Sequence, residues 1–270
     1  MHEIIDFHTH PYITAEHNFC FYKEYYNFNI DGYTAQLKRA GITHICGSVI
    51  ESRRRESDAN GTIIETRTKV DNFSILRRLN RTALELKDRL GDFYTPGFHV
   101  HPGFLEESLE EIEFMQKQGV RLIGELVPYL HDWNDFSSEA LHKILDCAEK
   151  YHMVCSYHTP FEFNMDDMIA SHPGITFVAA HPGERDRVLD HIKMMKKHSN
   201  YYLDLSGTGL MRFGMIRSII DAVGANRILF GTDYPICNPG MYVEAVKFEE
   251  ISETDRQLIF YDNAKRILGI

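Results

Sequence analysis

Five short stretches hold the residues whose chemistry is most constrained: Asp6-Phe7-His8-Thr9-His10, Gly124-Glu125-Leu126, Tyr157-His158-Thr159, Ala180-His181-Pro182-Gly183 and Gly231-Thr232-Asp233-Tyr234-Pro235. Each lies at the end of an apolar run rich in β-branched or aromatic residues, the pattern of a buried strand. Imidazoles and carboxylates without a well-placed thiolate form the donor set of a divalent metal. Zinc suits them best, and manganese, iron and nickel are also admitted. A lone His-x-His pair has little weight, but separate strand ends offering one chemistry point to one site.

On a strand, residues two apart share a face and are about 6.6 Å apart along the chain, so His8 and His10 can reach one ion. The same parity puts Arg121, Ile123 and Glu125 in a single row. An ionised Glu125 at the end of an apolar strand needs a cation or hydrogen bonds, supplied either by a metal or by a pair with Arg121. His158 and His181 are each followed within two residues by a proline that stops the strand. Either alone reads as a satisfied core residue; together they read as ligands. Asp233 ends a nearly continuous buried run and is expected to bind the ion and to take a proton from water activated there. It lies too early to cap a helix starting near Pro239. The ion would acidify its water and polarise a carbonyl, supplying nucleophile and Lewis acid together.

Other residues compete for a role. His101, ahead of His99, is a candidate for facing the substrate, with a structural role as the alternative. His142, His152, His191 and His198 fall in helical stretches and read as surface residues. Cys155 has the wrong parity relative to His158 to be a ligand, and nothing marks Cys237 as an activated nucleophile.

Eight strands are expected to position these groups: 3–7, 43–49, 93–99, 120–127, 153–158, 175–180, 201–205 and 227–231. Helical periodicity fills 31–40, 72–90, 105–117, 138–151, 184–198 and 210–223 between them, with Ser137-Ser138 as an N-terminal cap and Gly91, Gly119 and Gly224 just past C-termini. Repeated βα units of this kind close as an α/β protein of the (β/α)8 TIM type, with the site at the C-terminal ends of the strands. A doubly wound open sheet would want a glycine-rich turn after the first strand, where His8-Thr9-His10-Pro11 stands instead.

Two connections, 11–30 and 50–71, are long enough to be functional. The first carries Tyr12, Phe19, Phe21, Tyr22, Tyr25, Tyr26 and Phe28 and reads as a packed cover over the barrel mouth or as a subunit contact. The second carries Arg53-Arg54-Arg55. It reads as a solvated charge run, or as the source of an arginine, Arg53, that grips a substrate carboxylate.

The 270 residues are 43% hydrophobic and 25% charged, enough for one large domain over 1–270, and no linker divides them. A formal net charge of -10 gives no basic footprint for nucleic acid or an anionic membrane and favours a small-molecule substrate. Five cysteines with no C-x-x-C spacing suit a reducing, cytoplasmic setting. The first ten residues do not read as a basic, apolar, cleavable leader, since Met1-His2-Glu3 runs directly into an expected strand, and no run approaches 18 apolar residues.

The motifs together resemble the amidohydrolase superfamily, in its amidohydrolase-related (amidohydrolase 2) branch. The resemblance spans nearly the whole chain and includes the closing Asn263-Ala264-Lys265-Arg266-Ile267-Leu268-Gly269. It implies metal ligands at His8, His10, His158 and Asp233, with His181 binding a second metal or acting as acid or base. Glu125 departs from the carboxylated lysine of many binuclear members and from the mononuclear decarboxylases, which need no ligand there. It looks instead like the glutamate of TatD-type nucleases, so one or two ions are open.

The resemblance implies a metal-dependent hydrolase of a small ester, lactone or amide. The alternatives are a decarboxylase or hydratase, a TatD-like phosphoesterase, and a barrel that only binds. By analogy alone, a homodimer is compatible with it.

Overall fold

The computed structural model describes residues 3–13, 29–51, 53–57, 60, 62–158 and 165–270, with only the backbone course given at 53–57 and 63–67. The chain alternates strands and helices: β1 (Ile5–Asp6), α1 (Ile30–Arg39), β2 (His44–Gly47), β3 (Arg53–Ser57), β4 (Ile63–Arg67), α2 (Ser74–Leu90), β5 (Tyr94–Phe98), α3 (Leu105–Lys117) and β6 (Leu122–Leu126). Then follow α4 (Glu139–Lys150), β7 (Val154–Tyr157), α5 (Asp166–Ser171), β8 (Thr176–Ala179), α6 (Arg185–Lys197), β9 (Tyr201–Asp204), α7 (Met215–Val223) and β10 (Ile228–Leu229). The chain finishes on α8 (Pro239–Phe248), α9 (Glu253–Gln257), a π turn at Leu258–Asp262 and α10 (Asn263–Leu268).

Eight strands pair in parallel in the order β1-β2-β5-β6-β7-β8-β9-β10. The curl is closed where Phe7 N–H donates to Phe230 O (2.8 Å), His10 N–H to Tyr234 O (2.8 Å) and Asp233 N–H to His8 O (2.8 Å). These bonds join the first strand to the last and define a (β/α)8 barrel, as the alternation of elements requires. They also put the His-x-His segment directly beside Asp233.

Alternation along each strand separates two cores. On β7 and β8, Cys155, Phe177 and Ala179 face the helices in one large cluster with Ile45, Ile123, Leu203 and Phe230. Val154 and Val178 face inward with Ile5, Phe7, Cys46, Leu122 and Leu229, against Ala264 and Leu268 of α10. Burial of Cys155 in the outer cluster pushes its thiol up to about 12, which agrees with its exclusion as a ligand.

The long 50–71 connection is a correction. It contains the antiparallel hairpin β3–β4, in which Arg55 stands opposite Glu65. No apolar alternation marks either sequence, so a rule based on a buried face does not find them. Among the described residues of the first connection, Tyr12 is buried with its ring 5.2 Å from Tyr33. Phe19, Phe21, Tyr22, Tyr25, Tyr26 and Phe28 lie outside the described residues. Among those described, no helix is long and apolar enough to cross a membrane.

Candidate metal centre

His8, His10, Glu125, His158, His181 and Asp233 come together at the C-terminal mouth of the barrel. His8 Nε2 and His10 Nε2 are 3.2 Å apart, and Glu125 Oε2 is 3.2 Å from the first and 3.4 Å from the second. Asp233 Oδ1 closes this half of the site, 3.3 Å from His10 Nε2. The other half is set by Glu125 Oε1, 3.2 Å from His158 Nδ1 and 3.7 Å from His181 Nε2. Each of the two carboxylate oxygens therefore faces its own pair of histidines.

The protons can be assigned from the acceptors around the rings. His10 Nδ1 is 3.1 Å from the Ser48 carbonyl oxygen, which can only accept, so Nδ1 carries the hydrogen and Nε2 the lone pair. His8 Nδ1 is 3.0 Å from the Asp204 carboxylate, with the same result. Two lone pairs 3.2 Å apart beside two carboxylates repel unless a cation lies among them. Without a metal, a proton takes that place. Burial pushes His8 down, but the Glu125 and Asp204 charges outweigh it and hold the imidazole well above its usual range. His10 is carried up to about 9, where its hydrogen bonds to Asp233 and Glu125 overcome desolvation. Conversely, Glu125 is held well below the usual carboxylate range, since the charge of His8 and the nearby imidazoles of His10 and His158 overcome its burial.

A divalent cation fits this set. One donor atom from each of His8, His10 and Asp233 lies within 4.8 Å of the others, and the same holds for Glu125, His158 and His181. Glu125 Oε1, buried, accepts no hydrogen bond among the described residues, so an acceptor is left for a cation.

Local structure aims these groups. His181 and Asp233 both have left-handed backbones, with φ of 68° and 63°. Asp and His tolerate that region better than most residues, yet it is sparsely occupied and is held here by the barrel closure at Asp233 N–H. Gly207 has φ of 58°, and a Cβ there would lie 2.3 Å from His181 Nδ1, so only glycine leaves room for that ring.

Glu125 does not continue the row of Arg121 and Ile123 that strand parity predicts. Ile123 faces outward into the helix-side core and Leu122 inward, the reverse of what a regular row ending at Glu125 requires. Pairing with β7 shifts register between Ile123 and Leu126, and the extra residue turns Glu125 into the mouth. Arg121, the other partner considered for Glu125, spends its guanidinium on the His152 carbonyl at 2.6 Å.

His101 is placed apart from the six. Its Nδ1 accepts from Gly103 N–H (2.9 Å) in the turn into α3 and its Nε2 donates to His131 O (2.8 Å) in the segment after β6, so both nitrogens are spent on backbone. His99 is fully buried, its Nε2 2.8 Å from Val49 O. The side chain of Arg53 lies outside the described residues. The surface reading of His191 and His198 is overturned, because both are buried. His191 lies on the inward face of α6 with Val188, Met194 and Met195, and it bonds the Tyr201 hydroxyl (2.7 Å) and the His181 carbonyl (3.1 Å). The three- and four-residue spacing of these neighbours was the available signal.

Sequence reasoning missed Asp204 and Ser206. Asp204 ends a buried strand as Asp233 does, and it fixes the His8 ring. Ser206 Oγ donates its one proton to Asp204 and lies 2.9 Å from His181 Nδ1, which must then donate to it. That leaves the His181 Nε2 lone pair toward Glu125, and burial lowers this imidazole further, so it is neutral near pH 7. Asp6 accepts from Thr232 N–H (2.9 Å), Thr232 Oγ1 (2.5 Å) and His8 N–H (3.2 Å) and ties the two outer strands together beneath the site.

Fold and site together define a barrel enzyme of the metal-dependent kind. The amidohydrolase family model Amidohydro_2 matches residues 5–270, and the chain belongs to that family. Among solved structures it is similar to a 2,6-dihydroxybenzoate decarboxylase from Rhizobium, with 15% identity, TM-score 0.70, and coverage of 100% of this chain and 99% of that one. It is similar to a 5-carboxyvanillate decarboxylase from Sphingomonas paucimobilis, with 13% identity, TM-score 0.71 and full coverage of both chains. A third is a dihydroxybenzoic acid decarboxylase from Polaromonas sp. JS666 with bound manganese and the inhibitor 2-nitroresorcinol, with 14% identity, TM-score 0.65, and coverage of 100% and 97%. A search of curated proteins returned no match.

Proposed function

We propose that this chain is a metal-dependent decarboxylase of a small carboxylated molecule, a reading in which the lyase alternative displaces the hydrolase. The observation that carries it is the full-length similarity to three decarboxylases of hydroxylated benzoates, combined with a site whose donors suit the same kind of ion. His8, His10, His158 and Asp233 would hold the ion, with Glu125 between them. Bound there, it would act as a Lewis acid that orients the substrate and stabilises developing negative charge. Manganese stands beside zinc as the ion to test, because a similar enzyme binds it.

In this reading the carbon–carboxylate bond breaks, carbon dioxide leaves, and the carbon left behind must gain a proton. His181 is built to handle one. Its ring is held by Ser206 at Nδ1, and its free Nε2 faces the centre. Asp233, on the other side, is the second candidate for proton transfer.

One observation favours hydrolysis of an ester, lactone or amide instead. Glu125 offers an oxygen to each half of the site, which suits two ions and a water attack assisted by Asp233. The two readings part on measurement. Protein loaded with manganese or zinc should release carbon dioxide from a panel of hydroxybenzoates and related carboxylates, and lose that activity in Asp233→Asn. Hydrolysis of esters, lactones, amides or phosphodiesters with no carbon dioxide released from any carboxylate would sink the decarboxylase reading.

A further inference from the structure

On the outer layer of the barrel, Asp146 and Glu149 are three residues apart on α4 and so share a face. His172, just past α5, meets them there. None of the three belongs to the centre at the mouth. His172 is a buried residue, with a side chain 2% exposed, yet its Nδ1 has no hydrogen-bond partner among the described residues. That atom points at Asp146 Oδ1, 3.5 Å away, and Glu149 Oε2, 3.9 Å away.

The proton positions sharpen the point. His172 Nε2 is 3.0 Å from His142 Nδ1, so one of these two nitrogens donates to the other. A hydrogen on His172 Nδ1 would be spent on Asp146, and no such bond is made. The consistent assignment puts the hydrogen on Nε2, donated to His142, and a lone pair on Nδ1 facing two carboxylate oxygens. Three electron-rich atoms turned toward one another are unfavourable until a cation lies between them. Ligands about 2.1 Å from a tetrahedral ion are about 3.4 Å apart, close to the spacing found.

The supports are already in place. Glu149 Oε1 accepts from Gly174 N–H at 2.6 Å, which leaves Oε2 free for the ion. The His142 contact orients His172 from behind, as outer partners orient metal-ligating histidines. Asp146 is 64% exposed, so an ion can enter from solvent and keep water in its remaining positions.

We propose that Asp146, Glu149 and His172 form a second cation site, for a borderline divalent ion such as zinc or cobalt that accepts one imidazole and two carboxylates. Its occupancy clamps α4 to the segment that leads into β8. The ion stabilises the folded chain by mass action and takes no part in the reaction at the mouth.

The test is equilibrium dialysis of metal-free protein against Co2+, with thermal unfolding as a second readout. His8→Asn/His10→Asn, which cripples the centre at the mouth, should still bind one equivalent. Adding Asp146→Asn should weaken that binding at least about tenfold and abolish the rise in Tm that Co2+ brings. Should the double variant not fold, the comparison is made between wild type and Asp146→Asn, whose change is on the surface: wild type should bind one equivalent more. Equal stoichiometry in these two, or no cobalt bound outside the mouth, overturns the proposal and leaves His172 as the positive partner in an ion pair.

Discussion

His8 has a different task at each ring nitrogen: Nε2 faces the centre while Nδ1 leans on Asp204. A carboxylate behind a ligating histidine fixes its tautomer and raises its basicity, an effect typically worth about 10- to 100-fold in metal affinity. Asp204→Asn should therefore lower the affinity for manganese or zinc by about that factor while the protein stays folded. Unchanged affinity by metal-competition titration would show that Ser206 Oγ, 3.0 Å from His8 Nδ1, alone suffices. A second expectation follows from the protons that stand in for the metal. His10 sits at about 9 and His8 well above its usual value, so an ion must displace protons to bind. Affinity should rise as pH climbs from about 6.5 toward 9, with proton release measurable in weakly buffered solution; a pH-independent affinity would contradict the assignment.

At the scale of elements, the last helix locks the last strand at the floor of the barrel. Asn263, at the start of α10, is fully buried and donates from Nδ2 to the Ala225 and Ile228 carbonyls, 2.8 Å each. Asn263→Ala would leave both carbonyls without this donor in a buried setting, at a cost of about 2–3 kcal/mol. The urea midpoint should fall accordingly, and metal content at saturation should not. Loss of metal along with stability would mean that α10 acts on the site itself rather than on the floor of the barrel.

For the molecule as a whole, acid is the sensitive direction. Burial holds His99 down to about 4 and His191 to about 3, and His131 well below its usual value. Unfolded, each binds a proton near pH 6.5. Between that pH and about 4 the unfolded chain thus holds three protons that the folded chain refuses, and stability falls as pH falls. Burial of Asp6 carries its carboxyl up to about 7 and works in the opposite sense, offsetting one of the three. These four groups alone contribute about two protons, or about 3 kcal/mol per pH unit, and other histidines held down by burial, His181 among them, add in the same direction. Urea midpoints of metal-loaded protein at pH 7 and pH 5 measure it. His131→Phe, which removes a titrating ring that makes no hydrogen bond among the described residues, should flatten the slope. A slope unchanged by that substitution would place the acid sensitivity elsewhere.

Much of this protein is written locally. The eight barrel strands, the order of their helices and the six residues at the mouth follow from apolar runs that end in His, Glu or Asp, because burial of a strand and the cost of a charge at its end are properties of a few neighbouring residues. What local pattern does not contain is the packing between distant segments. The turn of Glu125 into the site comes from a register shift against β7. The part of Asp204 depends on β9 lying near His8, 196 residues away. The burial of His191 depends on what α6 packs against, and the β3–β4 hairpin forms from sequences without the apolar alternation that would announce it. Sequence alone determined six of the residues that gather at the mouth. The tertiary structure decided which atoms of those residues face one another at the mouth and what holds them there, since tautomer and aim are set by partners that only folding brings within hydrogen-bond distance.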